Sequence, residues 1–125
     1  MVKILILFLC LMSTQMAMAE GFRYNNNDSW DFSAHDKQAH FLGGMYVERA
    51  LFNRFHETMG EKGHIPAFGA TIAIGWLWEV KDGFIHSILG DAAGYSKQDF
   101  GYVVIGAVSS VIIELSVSKV IGWIK

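Results

Sequence analysis

Cysteine and proline are nearly missing from this chain of 125 residues, with one of each. A lone cysteine cannot close an internal disulfide or build a thiolate cluster, which excludes disulfide-framed and zinc-ribbon architectures. A single proline excludes a proline-rich linker. Charge is scarce too: 18% of residues are charged, against about 25% in ordinary soluble domains. The net charge of −2 gives nucleic acid nothing to hold, so no nucleic-acid partner is expected. There is no glycine-rich phosphate loop, no zincin spacing and no Gly-x-Ser-x-Gly elbow.

What remains is apolar. Hydrophobic residues make up 52% of the chain and thirteen residues are glycine, a composition that suits one domain of helices in close contact. The first nineteen residues have the layout of a signal peptide: Lys3, an apolar run from Ile4 to Met12, and Ala17-Met18-Ala19 before Glu20. The rival reading is a retained anchor, but nine apolar residues fall well short of the roughly 20 that a span needs. Cys10 follows Leu9, and a lipoprotein site wants a small residue there. Cleavage would leave a cysteine-free chain with nine basic and twelve acidic residues, net −3. The product is expected to be exported, to the periplasm or a bacterial envelope membrane.

Residues 20–32 lack any helical or strand period and read as an extended arm, with Tyr24 and Trp30 available to pack on the rest or to meet a bilayer surface. Residues 33–125 read as the helical domain, an all-α bundle of three to four apolar helices with short loops. Ser33 with Asp36 has the form of a capping box, and Phe32 can staple it. The first helix then runs to about Met59, with Asp36, His40, Gly44, Val47, Leu51 and Phe55 on one face. Glu48, Arg49, Asn53, His56 and Glu57 fall on other faces and suit water, although Glu48 lies one turn from Phe52. Gly60 ends the helix and Glu61 to His64 form a polar turn.

Pro66 suits the first turn of a second helix. From Ala67 to Trp78 there is no charge, and small residues abound. That length favours a buried core helix or a re-entrant segment. Gly83 is the expected stop after Glu79, Lys81 and Asp82. A loop or short helix with His86 and Asp91 follows. Ser96 to Asp99 repeats the capping form, and Asp36 precedes Gly43 by seven residues as Asp99 precedes Gly106. The echo suggests a duplicated helical hairpin. The last helix, Phe100 to about Ile124, suits either a membrane span or a buried bundle helix. The faces Gly69–Ala73 and Gly106–Ser110 suit helix contacts within the chain or between copies in a homo-oligomer.

Three polar stretches carry the chemistry and are expected to converge at one end of the bundle. Asp36 and His40 are one turn apart, as are Glu79 and Asp82, and Asp99 stands at a third helix start. His40, Glu79 and Asp82 are the candidate acid–base residues. Asp36, His40, Glu79, Asp82 and Asp99 are the candidate ligands of a divalent metal, the one cofactor the residue types allow. Each also has a structural reading. Asp36 and Asp99 suit helix caps, worth about 0.3–1 kcal/mol. His40 suits a hydrogen-bonded core position, and Glu79 suits pairing with Lys37 or Lys81.

Asp36-Lys37-x-x-His40-Phe41 with glycine two to three residues on, then Glu79-x-x-Asp82 at a helix end, then Gly94-Tyr95-Ser96-x-x-Asp99, together resemble the YfiM-like family of predicted bacterial periplasmic or outer-envelope lipoproteins. The likeness covers roughly residues 33 to 107. The Asp-Lys-x-x-His-Phe start is also similar to VanZ-like membrane proteins. The resemblance implies a small helical envelope protein, with Asp36, Lys37, His40, Glu79, Asp82, Ser96 and Asp99 as its matching polar positions and Lys37, Asp36, Ser96 and Asp99 as binding residues. The chain differs from the pattern in having no clear lipid-attachment cysteine, in Trp78 before Glu79, and in Tyr102-Val103 after Asp99. Two classes of function follow. One is a membrane-associated protein whose Asp/His/Glu cluster ties helix ends together and meets a membrane lipid or an envelope protein. The other is a membrane-associated hydrolase or transferase acting on lipid or cell-wall precursors through His40 and its carboxylates.

Overall fold

The computed structural model describes residues 24–25, 27–89 and 94–124. The expected signal peptide, the first residues of the arm and Asp91 lie outside the described residues. The chain is mostly helical, and no strand is formed among the described residues. Its α-helices there are α1 (His35–Met59), α2 (His64–Leu89) and α3 (Lys97–Ile124), with a 3-10 turn over Gly60–Gly63 between the first two.

The start of α1 departs from the expected capping box. Ala34 is the N-cap and makes no side-chain cap bond. The Ser33 amide donates to Asp31 Oδ1 at 2.9 Å instead, because a short aspartate can satisfy a backbone amide two residues on and so compete with the helix cap. Phe32 still packs, its ring meeting Phe41 edge-on at 5.4 Å. Gly60 closes the helix with φ of 57°, a conformation open to glycine, and its amide donates to the His56 carbonyl.

Helix α2 carries Pro66 as its third residue, where no helical amide is lost. It does not stop at Gly83 but runs through it to Leu89. Gly83 is buried with ordinary helical backbone. An interior glycine costs a helix about 1 kcal/mol, and it ends one only where the backbone turns to positive φ. At the start of α3, Ser96 Oγ accepts the Asp99 amide at 2.9 Å, which is half of a capping box. The other half is supplied from a different helix: the Ser96 amide donates to Glu79 Oε2 at 3.0 Å. Asp99 is thereby free to point elsewhere.

Cross-links fix the helix directions. Lys37 meets Asp99, and further along both helices Glu48 meets Ser110, so α1 and α3 run in the same direction. Helix α2 runs against them, its beginning at Glu48 through His64 and its end at His40 through Glu79. Helix α1 packs most extensively on α3. The contact is close enough that a methyl group at Gly44 would strike the Val103 carbonyl, and one at Gly106 the Phe41 carbonyl. The Gly106–Ser110 face, expected to serve contacts within the chain or between copies, makes contacts within the chain through Gly106, Ala107 and Ser110. Gly69 has open space around it.

The buried stripe of α1 is Lys37, Gly44, Glu48 and Phe52. It keeps Gly44 from the stripe that the apolar pattern suggests but is turned by roughly 65°, at 100° per residue, toward Lys37, Glu48 and Phe52, and Glu48, expected to face water, is wholly buried. The inversion extends through the described residues. The largest fully buried side chains are Lys37, Glu48, Glu79, Thr71 and Ser96, while Ile65, Leu42, Trp78, Ile112 and Ile113 are all more than half exposed. The buried apolar residues are few and mostly small: Phe52, Ala67, Val80, Tyr102, Val103 and Ala107.

The glycine geometry makes a paired prediction. Gly44→Ala should lower stability in mild detergent by about 1–3 kcal/mol, the usual cost of overpacking. Gly43→Ala, where nothing lies within reach of the added methyl, should leave the melting temperature unchanged or raise it through better helix propensity. Equal melting temperatures for the two variants would contradict the close crossing of α1 and α3.

Candidate functional site

The polar cluster is built around Lys37, whose side chain is 1% exposed. The end of α1 presents its ammonium to three carboxylates. It donates to Asp28 of the arm, to Asp36 at 3.1 Å and to Asp99 of α3 at 2.5 Å. Burial alone would lower the Lys37 pKa, but the hydrogen bonds to Asp28, Asp99 and Asp36 outweigh it and hold the ammonium above the ordinary lysine range. The same bonds act in reverse on the acids. Burial would raise Asp28, yet Lys37 and Ser96 bring its carboxyl below the usual value, and Asp36 is lowered in the same way by Lys37.

Asp28 reaches the cluster because the arm is tied down at several points. Tyr24 forms a parallel backbone bridge with Tyr95, and the Asn25 amide donates to the Tyr95 carbonyl at 2.9 Å. Gln98 donates to the Asp28 carbonyl at 3.2 Å, and the Tyr102 hydroxyl to the Trp30 carbonyl at 2.6 Å. Asp28 also accepts a hydrogen bond from the Ser96 hydroxyl.

His40 adjoins this group. Its Nδ1 lies 2.8 Å from the Asp36 carbonyl and 3.6 Å from Asp99 Oδ1. Its Nε2 lies 3.3 Å from Glu79 Oε1. Both ring nitrogens thus face acceptors, which favours the imidazolium form. The hydrogen bond to Glu79 raises the pKa most, burial opposes it, and the Asp36 carbonyl and Asp99 add to the rise, giving about 9. His40 and Glu79 stand at one end of a cavity of about 370 Å³ between α1 and α2, walled by Ala39, Gly43, Val47, Ile74, Gly75 and Trp78. One ligand atom each from His40, Glu79 and Asp99 lies within 4.8 Å of the others.

Six of the seven positions singled out in the sequence therefore meet: Asp36, Lys37, His40, Glu79, Ser96 and Asp99. Asp82 does not join them. Its carboxylate pairs with Lys81 at 2.7 Å, and Lys81 in turn lies over the Trp78 ring. Glu79 pairs with neither lysine. Two features escaped the sequence. Asp28 sits in an aperiodic, asparagine-rich arm that gives no signal. A second buried layer, Glu48 with His64 and Ser110, lies about 12 Å further along α1 than His40, at 1.5 Å per residue. Its signal was the spacing Lys37-Gly44-Glu48-Phe52, which reads as a packed stripe once Lys37 is placed inside.

No protein-family model, curated protein or solved structure matches this chain. The site must be read from its own geometry.

The histidine makes the cluster pH-sensitive, with a definite sign. Unfolded, His40 titrates near 6.5; folded, near 9. Its contribution to stability is fully present below the unfolded value and is lost as pH rises through the folded one. The melting temperature should therefore fall between pH 7 and 9.5, and fall less in His40→Gln. Parallel pH profiles for the two proteins would contradict the placement of a protonated His40 between Glu79 and Asp99.

Proposed function

We propose that this is a small exported helical protein of the bacterial envelope, of YfiM-like type, seated in or on a membrane, whose Asp/Lys/His/Glu cluster ties the helix ends and the arm together. The observation that carries the reading is the inverted burial, with charged and hydroxyl side chains inside and large aliphatic and aromatic ones outside. In water the apolar side chains would be drawn inward. In lipid the hydrocarbon already matches them, and helices associate through small residues and internal polar bonds. Helix α3 supports the reading. Lys97–Gly122 is long and apolar enough to cross a membrane by length and composition, and 28% of its most apolar stretch is buried in the protein. At 1.5 Å per residue these 26 residues reach about 39 Å, beyond the roughly 30 Å of a hydrocarbon core. The exposed Ile105, Ile112, Ile113, Leu115, Val120 and Ile121 then face lipid or the apolar flank of an envelope protein. In this reading the three helices form one bundle.

A second reading has one specific observation behind it. The ligand atoms of His40, Glu79 and Asp99 are close enough for one divalent ion, beside an apolar cavity that fits a lipid chain. An imidazole with two carboxylates suits zinc or manganese, and a carbonyl on Nδ1 is the partner a metal-bound histidine commonly has. That would make the protein a hydrolase or transferase for lipid-linked substrates. Against it stands Lys37, whose ammonium already holds Asp99 at 2.5 Å and would repel a second cation.

Membrane residence is tested by extraction. Inserted, the protein should stay in the membrane pellet after alkaline carbonate and dissolve only with detergent; release by carbonate would place it on the surface, and recovery in the soluble fraction before carbonate would contradict the first reading. Metal analysis separates the two. Stoichiometric zinc or manganese that disappears in His40→Ala would establish the second, whereas a folded protein whose melting temperature ignores added zinc would remove it.

A further inference from the structure

The second polar layer contains a group that the His40 cluster does not use. His64 opens α2 and is 6% exposed. Its ring stacks on Phe52 at 3.6 Å with planes 3° apart. Its Nδ1 lies 2.9 Å from Glu48 Oε1, and the other Glu48 oxygen accepts the Ser110 hydroxyl at 2.6 Å. Glu48 is thus satisfied on both oxygens, and the carboxylate keeps a hydrogen on Nδ1. The remaining ring atom, Nε2, is buried and has no hydrogen-bond partner. An unpaired buried polar atom is costly to the fold, and here it occurs where the imidazole borders a cavity. That cavity, about 330 Å³, lies between α2 and α3 and is otherwise walled by Ile65, Phe68, Val108, Val111 and Ile112.

We infer that this cavity is a binding site for a long-chain alcohol, its hydrocarbon lying along α2 and α3 and its hydroxyl bonded to His64 Nε2. The choice of hydroxyl follows from the chemistry of the ring. A neutral His64 offers a lone pair at Nε2, and a protonated one offers a hydrogen; a hydroxyl answers either, since it both donates and accepts. A carboxylate would bring a second negative charge beside Glu48 in apolar surroundings, where like charges are expensive. A plain hydrocarbon would fill the walls and leave Nε2 unpaired. The five other wall residues carry no polar side chain, so nothing there could steady a developing charge. The site binds and does not turn over. It shares no residue with the His40 cluster and rests on the membrane reading above only for the lipid setting of its test.

The test is a titration of the full chain in lipid nanodiscs with 1-decanol, followed by the imidazole ¹⁵N resonances, those of His64 being identified by their loss in His64→Gln. The expected result is a saturable shift of Nε2 with 1-decanol, a much smaller one with decane, and none with decanol in Val111→Trp, which fills the cavity and leaves Glu48 and His64 in place. The other histidines report whether that variant is folded; if it is not, the wild-type comparison of decanol with decane decides alone. Equal shifts with decane would overturn the inference by showing apolar partitioning only. No shift with decanol would overturn it by showing that the alcohol does not reach Nε2.

Discussion

The ammonium group of Lys37 joins three parts of the protein at one buried point. Asp28 comes from an arm without secondary structure, Asp36 from the exposed side of α1, and Asp99 from the first turn of α3. A buried cation is tolerated only where its charge is compensated and its protons are placed, and all three carboxylates lie within its reach. The rest of the end of the bundle follows. Because Asp99 is held by Lys37, the Ser96 amide turns to Glu79. Because Glu79 is fixed there, His40 finds an acceptor at Nε2.

Two polar layers, with tight backbone contact between them, then define the interior. The Lys37 layer closes one end, and the Glu48–His64–Ser110 layer lies further along α1. Between them Gly44 and Gly106 let α1 and α3 touch backbone to backbone. Such an interior draws little on hydrophobic burial, since its buried apolar side chains among the described residues are few and mostly small. It depends on hydrogen bonds, ion pairs and close packing, which are the forces that remain effective when the surroundings are themselves hydrocarbon.

Much of this was legible in the sequence, and the failures have physical causes. Helix positions followed from periodicity, and the Ser96 cap from its spacing to Asp99. The meeting of Asp36, Lys37, His40, Glu79, Ser96 and Asp99 was inferred from three polar stretches at helix ends. The packed face of α1 was drawn through Asp36, His40, Gly44, Val47, Leu51 and Phe55 from their spacings of three and four. With Lys37 inside, the stripe keeps Gly44 but turns toward Glu48 and Phe52. Gly83 was read as a stop because glycine weakens helices, but weakness is not termination without positive φ. Ser33 lost its expected cap to a local bond with Asp31. Asp28 could not be found at all, since an aperiodic arm has no register from which to argue its partner.

The most direct test of the Lys37 hub compares Lys37→Met with the triple variant Lys37→Met/Asp28→Asn/Asp99→Asn, by thermal or chemical unfolding in mild detergent. Removing the ammonium alone leaves carboxylates facing one another without a cation and should cost about 3–5 kcal/mol, while neutralising the partners as well should recover most of that loss. A single variant within about 0.5 kcal/mol of wild type, the range of an ordinary surface substitution, would contradict the central place given to Lys37.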